Sequence, residues 1–399
     1  MRFFVLFFFL LLSAACGVAQ NEQGAAAEGI PPPESAREIP MPHAITFKVY
    51  ERDGYRIVDF KAPVIGWGGS AQRADQTERI VLAPKDGTPP ELVGDLGGAV
   101  LVRTPVERIA VNYGTLEAIL SNLGVSEKLV AIGGVKSYND DIRARARSGE
   151  LAQIGYGWHV PPEIDTLLGA EPDVFFDVIG VPGHEDDYER IKRLGVPIVP
   201  IFHDAELTYL GPVDYVRLVG MFVDREEEAD AFAAMVARNV EELKAKVANK
   251  TKRKAMNAWF AGSGRWMVTV RNADNQLLTD AGGLNPMARP DDARIDDYNR
   301  VGSEVLLENA RDIDCWIIRD THSQTFTDKA FLQNFKAWRE GCVFAIDGSV
   351  KPDADAFDYY ETAIIRPDLK LRDLIRMLHP DVTSAPYVYF QPDSKTPRP

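Results

Sequence analysis

Hydrophobic and polar positions alternate along the chain between Ile45 and Val102. The run "FKVYERDGYRIVDF" alternates on both sides of Asp53-Gly54, and Asp-Gly is a dipeptide typical of two-residue β-hairpin turns. The segments "RIVLAP" and "GAVLV" continue the strand-like pattern. Residues 44–104 are therefore predicted to form a β-rich N-terminal extension.

From Glu107 onwards, short apolar runs alternate with segments of helical periodicity. The runs "RIAV", "KLVAIGG", "DVFFDVIG" and "VPIVPIF" predict strands, and the segments between them predict helices. Strand–helix repeats of this length are typical of a parallel sheet covered by helices. Residues 105–223 are therefore predicted to form one α/β lobe.

A long helix is predicted over residues 224–250, because "DREEEADAFAAMVARNVEELKAKVA" has one apolar stripe and contains no Gly or Pro. Asp224 is the predicted N-cap, with Glu227 as its capping-box partner. A second α/β series is predicted over residues 251–385, followed by a tail at 386–399. The predicted fold class is α/β: two Rossmann-like lobes with central, mainly parallel sheets, joined by a single long helix, plus the β-rich extension.

Two stretches about 140 residues apart share one pattern, "EIDTLLGAEPDVFFDV" at residues 163–178 and "EVLLENARDIDCWIIR" at 304–319. Each begins with a glutamate on a helix-like segment and continues into an apolar run. We interpret them as the helix-then-strand unit of each lobe.

The N-terminus has the pattern of an export signal. Arg2 is followed by ten apolar residues, 3–12, which is too short for a membrane-spanning helix of about 20 residues. Residues 1–19 are therefore predicted to be a signal peptide. Cys16 is a candidate for lipidation, and cleavage after Ala19 by an ordinary signal peptidase is the alternative. Residues 20–43, rich in Ala, Glu and Pro, are predicted to be a flexible linker.

Composition narrows the function classes. The 399 residues are 45% hydrophobic and 26% charged, as in ordinary globular proteins, and the formal net charge is −14. A negative chain is a poor match for nucleic acid, whose phosphates require a positive surface. Cys315 and Cys342 each begin a predicted strand, and both a disulfide and two buried thiols remain open.

Motifs of catalysis are missing from the sequence. It contains no G-x-G-x-x-G after a strand, no P-loop, no G-x-S-x-G elbow and no H-E-x-x-H. The protein is predicted not to be an enzyme, with a secreted α/β enzyme or a ligand-sensing lipoprotein as alternatives of other classes.

Ligands of open α/β sheets bind beyond the carboxyl ends of the strands, so the residues that follow each strand are the candidates. Aromatic side chains dominate this set in the first lobe, and basic and aromatic ones in the second. Aromatic faces bury area and arginine pairs with carboxylates, which favours a large, partly planar ligand with negative charge. The candidate ligand-binding residues are Tyr113, Tyr138, Tyr156, Trp158, His159, Arg265, Trp266, Arg271, Arg319 and His322.

Several segments together resemble a known family. They are "RIAVNYGTLEAILSNLGVSEKLVAIGG", "EIDTLLGAEPDVFF", "IKRLGVPIV", "DAGGLNP", "SEVLLENARDIDCWII" and "CVFAID", within residues 107–380. In order and spacing they resemble the periplasmic binding proteins for ferric siderophores, haem and vitamin B12, the substrate-capture components of ABC importers. The two lobes of that family are bridged by one rigid helix, so little motion is expected on binding.

The resemblance implies a ligand, partners and a location. The ligand would be a ferric chelate (siderophore) or a corrinoid, with haem as the alternative, and no resident cofactor is expected. The partners would be an ABC permease and its cytoplasmic ATPase. The location would be the periplasm or cell envelope, with membrane contact only through a lipid anchor.

The resemblance also implies residue roles. The family docks on its permease through one acidic residue on each lobe, which points to Glu150 and, less strictly, to Asp280, because Thr279 occupies the matching position. Haem binders of the family ligate iron with a tyrosine and a histidine. Tyr156, His159, His203 and His322 are available for this, and their spacing selects no pair.

Overall fold

A computed structural model describes residues 30–65, 71–157, 160–179, 184–271, 273–288, 297–318 and 329–393. The predicted signal peptide and Cys16 lie outside the described residues. Within the described part of the chain, no helix is both long enough and apolar enough to cross a membrane.

The N-terminal extension is a five-stranded sheet, as the alternating pattern predicts. Its strands, in the spatial order β1-β2-β3-β4-β5, are β1 (Arg37–Ile39), β2 (Phe47–Arg52), β3 (Tyr55–Ile65), β4 (Ala71–Pro84) and β5 (Val100–Thr104). The predicted hairpin turn is confirmed, since Asp53 and Gly54 both have positive φ values, 48° and 81°. The predicted linker differs, because β1 lies inside residues 20–43 and pairs antiparallel with β2.

The first lobe contains a five-stranded sheet in which every pairing is parallel, as predicted. Its spatial order is β10-β9-β6-β7-β8. The strands are β6 (Ile109–Val111), β7 (Leu129–Ile132), β8 (Ala152–Gln153), β9 (Val174–Val178) and β10 (Ile198–Ile201). The helices are α1 (Gly114–Asn122), α2 (Asp140–Ser148), α3 (Ile164–Gly169), α4 (His184–Arg193) and α5 (Gly211–Val223).

One uninterrupted helix, α6 (Glu226–Val247), leads from the first lobe to the second. Its Ala229 is buried in the core of the first lobe, and Val240 and Val247 are buried in that of the second. The predicted N-cap was wrong. Asp224 has a φ of 60° and ends α5 in the left-handed conformation, because the chain reverses between the two helices.

The second lobe contains a mixed sheet in the order β14-β12-β11-β15-β16-β19, with β13 paired to β11. Strands β11, β15 and β16 are parallel, whereas β12, β14 and β19 are antiparallel to their neighbours. The strands are β11 (Arg253–Phe260), β12 (Arg265–Arg271), β13 (Gly283–Leu284), β14 (Asp297–Gly302), β15 (Cys315–Ile318), β16 (Val343–Ala345), the separate pair β17 (Val350–Lys351) and β18 (Ala356–Phe357), and β19 (Gln391–Pro392).

The helices of the second lobe are α7 (Ala273–Asp280), α8 (Ser303–Ala310), α9 (Lys329–Leu332), α10 (Lys336–Arg339), α11 (Thr362–Ile365) and α12 (Pro367–Leu378). Short 3₁₀ turns occur at Gly94–Leu96, Ser126–Lys128, His203–Ala205, Pro352–Ala354 and Asp358–Tyr360. The predicted tail at 386–399 differs from the structure: Tyr389 and Phe390 are buried, and β19 pairs with β16, so this segment completes the sheet.

The two repeated stretches form the units α3–β9 and α8–β15, as predicted. Each strand lies inside the sheet of its own lobe. Cys315, the first residue of β15, forms a disulfide with Cys342, the residue before β16, which resolves the alternative that the sequence left open.

Candidate functional site

The two lobes contact each other through segments that follow β7 and β16. Lys136 pairs with Asp355, and Lys351 pairs with Asp140 at 2.6 Å. The backbone N–H of Tyr138 donates to the Glu361 carboxylate at 2.7 Å. We call this contact, between residues 112–143 and 347–366, the lobe junction. The carboxyl ends of parallel strands from both sheets open towards it, as expected for a ligand site in α/β proteins.

Three predicted ligand residues, Tyr113, Tyr138 and Tyr156, lie on the first-lobe side of the junction. Tyr113 occupies the N-cap position of α1. The ring of Tyr138 receives the Lys351 ammonium group 4.6 Å from its centroid. The hydroxyl of Tyr156 accepts the N–H of Lys136 at 2.8 Å. The structure therefore brings together side chains that are up to 43 positions apart in sequence.

Two glycines set the position of the Tyr156 ring. A Cβ atom on Gly133 would lie 2.5 Å from the ring, and one on Gly134 would lie 3.0 Å from it. Since real Cβ atoms do not approach so closely, the ring lies flat against this backbone only because both residues lack a side chain. Glycine after β7 is thus a requirement of the site.

Beneath this loop, Asn112 and Asp177 connect the carboxyl ends of β6 and β9. The amide of Asn112 donates to Asp177 at 2.6 Å and accepts the N–H of Val178 at 2.8 Å. Burial raises the pKa of Asp177 to about 7, and the bond from Asn112 opposes that rise. The Asn112–Asp177 pair is therefore a buried polar contact, and the charge of its Asp177 carboxyl group changes near neutral pH.

Glu117 and Glu361 also lie at the junction and were not among the predicted site residues. Glu117 is fully buried in α1, and burial raises its pKa. Burial and the nearby Glu117 carboxylate raise the pKa of Glu361. The available signal was a glutamate inside the apolar run "TLEAIL", every residue of which is buried.

Arg265 and Trp266 face in opposite directions, because successive residues of a strand alternate between its two sides. Arg265 is exposed at the start of β12. Trp266 is fully buried, with its ring 5.3 Å from that of Trp316, and its indole N–H donates to Ser303 at 3.1 Å. Trp266, predicted to be a ligand-binding residue, is therefore corrected to a core residue of the second lobe.

The remaining candidates have less structural definition. Arg271 ends β12, and its side chain lies outside the described residues. His203 is buried after β10, with its ring 5.6 Å from that of Tyr113. Among the described residues, no group of three His, Cys, Asp or Glu side chains is placed to hold a metal ion. The predicted residues that lie outside the described ranges are Trp158, His159, Arg319 and His322.

The two predicted docking acids differ in exposure. Glu150 follows α2, pairs with Arg145 at 2.6 Å, and has 58% of its side chain exposed. Asp280 ends α7 with 24% exposed, and accepts the hydroxyl of Tyr209 at 2.6 Å. Glu150 is therefore presented at the surface, whereas Asp280 is also a structural acceptor.

A family model and a relative of known sequence each match more than half of this chain. A family model described as periplasmic binding protein matches residues 109–350. An uncharacterised lipoprotein of Methanocaldococcus jannaschii is 25% identical over 336 residues, which cover 78% of this chain and 75% of that protein.

Solved structures share the fold. A periplasmic haem-binding protein from Pseudomonas aeruginosa has a TM-score of 0.56 at 16% identity, over 73% of this chain and 99% of that one. The periplasmic vitamin B12 binding protein of Vibrio cholerae has a TM-score of 0.52 at 16% identity, over 70% and 99%. A siderophore-binding protein bound to acinetobactin and ferric iron has a TM-score of 0.52 at 18% identity, over 69% and 94%. These likenesses establish the two-lobed architecture.

Proposed function

Because this chain belongs to the periplasmic binding proteins, we propose that it is the extracytoplasmic ligand-binding component of an ABC importer. It captures a ferric siderophore or a corrinoid between its lobes and delivers it to a membrane permease that a cytoplasmic ATPase drives. The observation that carries this proposal is the lobe junction, where the carboxyl-end loops of β7 and β16 meet beside three tyrosines.

The chemistry of the junction suits a large ligand with aromatic or conjugated surface. The rings of Tyr113, Tyr138 and Tyr156 offer apolar faces with a polar edge, a combination that is favourable at ligand interfaces. Lys136 and Lys351 are already paired with acids, and a ligand carboxylate or phosphate would compete for them. Solved neighbours that bind haem, vitamin B12 or a ferric siderophore support the same ligand classes, with haem as the alternative.

Export and docking complete the proposal. The N-terminal pattern, together with a lipoprotein relative, supports an exported chain that is lipidated at Cys16. Glu150 and Asp280 are the proposed contacts with permease arginines. The exposed position of Glu150 supports its assignment more strongly than the partly buried position of Asp280 supports the second one.

The absorption spectrum of the protein purified from its native host tests the ligand. A corrin spectrum or broad charge-transfer bands of a ferric chelate are expected, and a Soret band would establish the haem alternative. Tyr138→Ala should reduce the bound chromophore. The matched control, Tyr55→Phe in the N-terminal extension, should retain it.

Three outcomes would contradict the proposal. One is a protein that neither copurifies with a chromophore nor binds added ferric siderophore, cyanocobalamin or haem. A second is undiminished uptake by cells that lack the protein, which would favour the sensor lipoprotein. A third is turnover in a hydrolase assay, which would favour the enzyme.

A further inference from the structure

Glu117 and Glu361 come from different lobes, and both are buried at the lobe junction against helix α1. Glu361 packs against the first turn of α1, where a Cβ atom on Gly114 would lie only 2.7 Å from the Glu361 Cγ. Glu117 is three residues beyond Gly114, on the same face of that helix. The two carboxyl groups are thus brought together only when the lobes are in contact.

The described surroundings provide little compensation for two negative charges. Neither carboxylate oxygen of Glu117 has a hydrogen-bond partner among the described residues, although the nearby Ser137 hydroxyl opposes the rise of its pKa. Glu361 accepts one backbone N–H, from Tyr138. Burial of an unpaired carboxylate is costly, so the group tends to take up a proton instead.

The charged groups that face this pair are mostly engaged elsewhere. The Arg143 guanidinium, which favours ionised Glu361, donates to Asp140 and to the backbone oxygen of Ser137. Lys136 and Lys351 pair with Asp355 and Asp140.

Other acidic groups add to the electrostatic cost of ionising the pair. Asp358 further disfavours a charge on Glu361. Burial first, and then the charges of Glu117 and Glu361, raise the pKa of Tyr156, so its hydroxyl group stays neutral beside the pair. Protons are therefore the simplest means of neutralising this part of the junction.

We propose that Glu117 and Glu361 form a proton-dependent contact that holds the two lobes together and weakens when both groups ionise. The protonated pair fits the buried junction, whereas the doubly ionised pair places two like charges in a site of low polarity. The contact forms in the unliganded protein, whichever ligand the cleft takes.

The direction of the pH dependence follows from linkage. Both pKa values are raised in the folded protein, so the folded junction binds more protons than the separated one. The contact is strongest below the ordinary glutamate pKa of about 4.3, and is lost as pH rises through the raised values. Alkaline pH should therefore loosen the junction.

Amide hydrogen exchange of the full chain between pH 5 and pH 9, corrected for intrinsic exchange, tests this proposal. The Tyr138 amide is the reporter, because it donates to Glu361. We expect its opening equilibrium constant to rise with pH, by up to about tenfold per pH unit for each proton released. Glu117→Gln and Glu361→Gln should reduce this slope, and the double variant should remove it.

Glu206→Gln is the matched control. Glu206 is also buried with a raised pKa, but it binds residues 45–46 of the N-terminal extension and lies away from the junction pair. This variant should leave the exchange slope of Tyr138 unchanged. The proposal is overturned if the unchanged protein shows no slope, if the double glutamine variant retains it, or if Glu206→Gln removes it.

A second measurement tests the proposal even if the glutamine variants fail to fold. Dyes attached through non-natural amino acids at the exposed positions Glu163 and Glu340 report the separation of the lobes while Glu117 and Glu361 remain unchanged. Energy transfer should fall between pH 5 and pH 9. A transfer efficiency that stays constant over this range would overturn the proposal independently of any substitution in the pair.

Discussion

In the first lobe, a second sheet packs beside the parallel one, whereas the second lobe stiffens its own sheet with a disulfide and antiparallel strands. The N-terminal extension is joined to the first lobe through two buried acids. Glu206 accepts the N–H groups of Ile45 and Thr46, and Asp214 accepts those of residues 43 and 44. These bonds satisfy four consecutive backbone donors, of which the one at Thr46 is buried and would otherwise lack a partner.

The second lobe has a different support. The disulfide joins the start of β15 to the start of β16, and a cluster of aromatic rings around Trp266 and Trp316 fills one face of the sheet. The same helix-then-strand unit therefore occurs in both lobes with different supports. The repeated sequence pattern predicts a buried strand and its preceding helix. The other strands and the cross-links of each lobe differ and are not predicted by this pattern.

The largest expected effect on the free energy of unfolding comes from Trp266, and it distinguishes a core residue from a ligand-binding residue. Trp266→Ala should lower the free energy of unfolding by about 3–5 kcal/mol, because it removes a fully buried indole and leaves a cavity. Tyr113→Ala, on the first-lobe side of the junction, should mainly reduce ligand binding. Urea unfolding and ligand titration of both variants test the contrast. A stable Trp266→Ala protein that no longer binds ligand would restore the role predicted from sequence.

Removal of the disulfide should produce the next largest effect. In the double variant Cys315→Ala, Cys342→Ala, the unfolded chain regains the freedom of a loop with a sequence separation of 27 residues, which corresponds to about 3.5 kcal/mol. Hydrogen exchange should accelerate in β15 and β16 more than in β6 and β9. Equal acceleration in both lobes would show that they do not differ in this support.

A pH-dependent effect is expected where the extension meets the first lobe. Burial raises the pKa of Glu206 to about 7, so its contribution to stability is greatest below the ordinary glutamate pKa and falls as pH rises through 7. Glu206→Gln should make the thermal midpoint fall less between pH 5 and pH 8. If the dependence of the thermal midpoint on pH is unchanged in this variant, the Glu206 carboxyl group does not control the contact between the N-terminal extension and the first lobe. Asp177 titrates in the same range, so part of the slope should remain.

The smallest effects on stability are expected at the docking acids. Glu150→Lys should change the free energy of unfolding by less than about 0.5 kcal/mol, because the side chain is mostly exposed. If Glu150 docks on the permease, the variant should stop uptake while ligand binding stays intact.

Asp280→Asn weakens the acceptor of the Tyr209 hydroxyl and should lower the free energy of unfolding by about 1 kcal/mol. Uptake assays paired with thermal unfolding separate the two roles, and normal uptake by Glu150→Lys would refute docking at that position.

Local patterns predicted the elements better than their ends and environments. The Asp53-Gly54 turn and α6 follow from turn chemistry and from an apolar stripe, both of which depend on neighbours in the chain. Asp224 was misassigned because an aspartate at this position is compatible both with the start of α6 and with the end of α5. β1 and β19 were missed because each is short and forms only by pairing with another strand, β1 with the neighbouring β2 and β19 with β16 much earlier in the chain.

The site was predictable only in part, for a related reason. Position after a strand selected Tyr113, Tyr138 and Tyr156, which lie on the first-lobe side of the junction, since carboxyl ends of parallel strands share one edge. Their role in ligand binding stays a prediction. The same criterion selected Trp266, whose direction depends on the antiparallel pairing of β12 with β11 and on the aromatic core beneath it.

Periodicity and order along the chain were sufficient to predict the α/β class, the long connecting helix, the β-rich extension and the likeness to a family. The disulfide between Cys315 and Cys342, the core position of Trp266 and the burial of Glu117 and Glu361 against one helix became visible only in the folded protein. Each of these depends on which distant residues share a small volume. Burial and pairing there determine the charge and role of a side chain, and residue type alone does not.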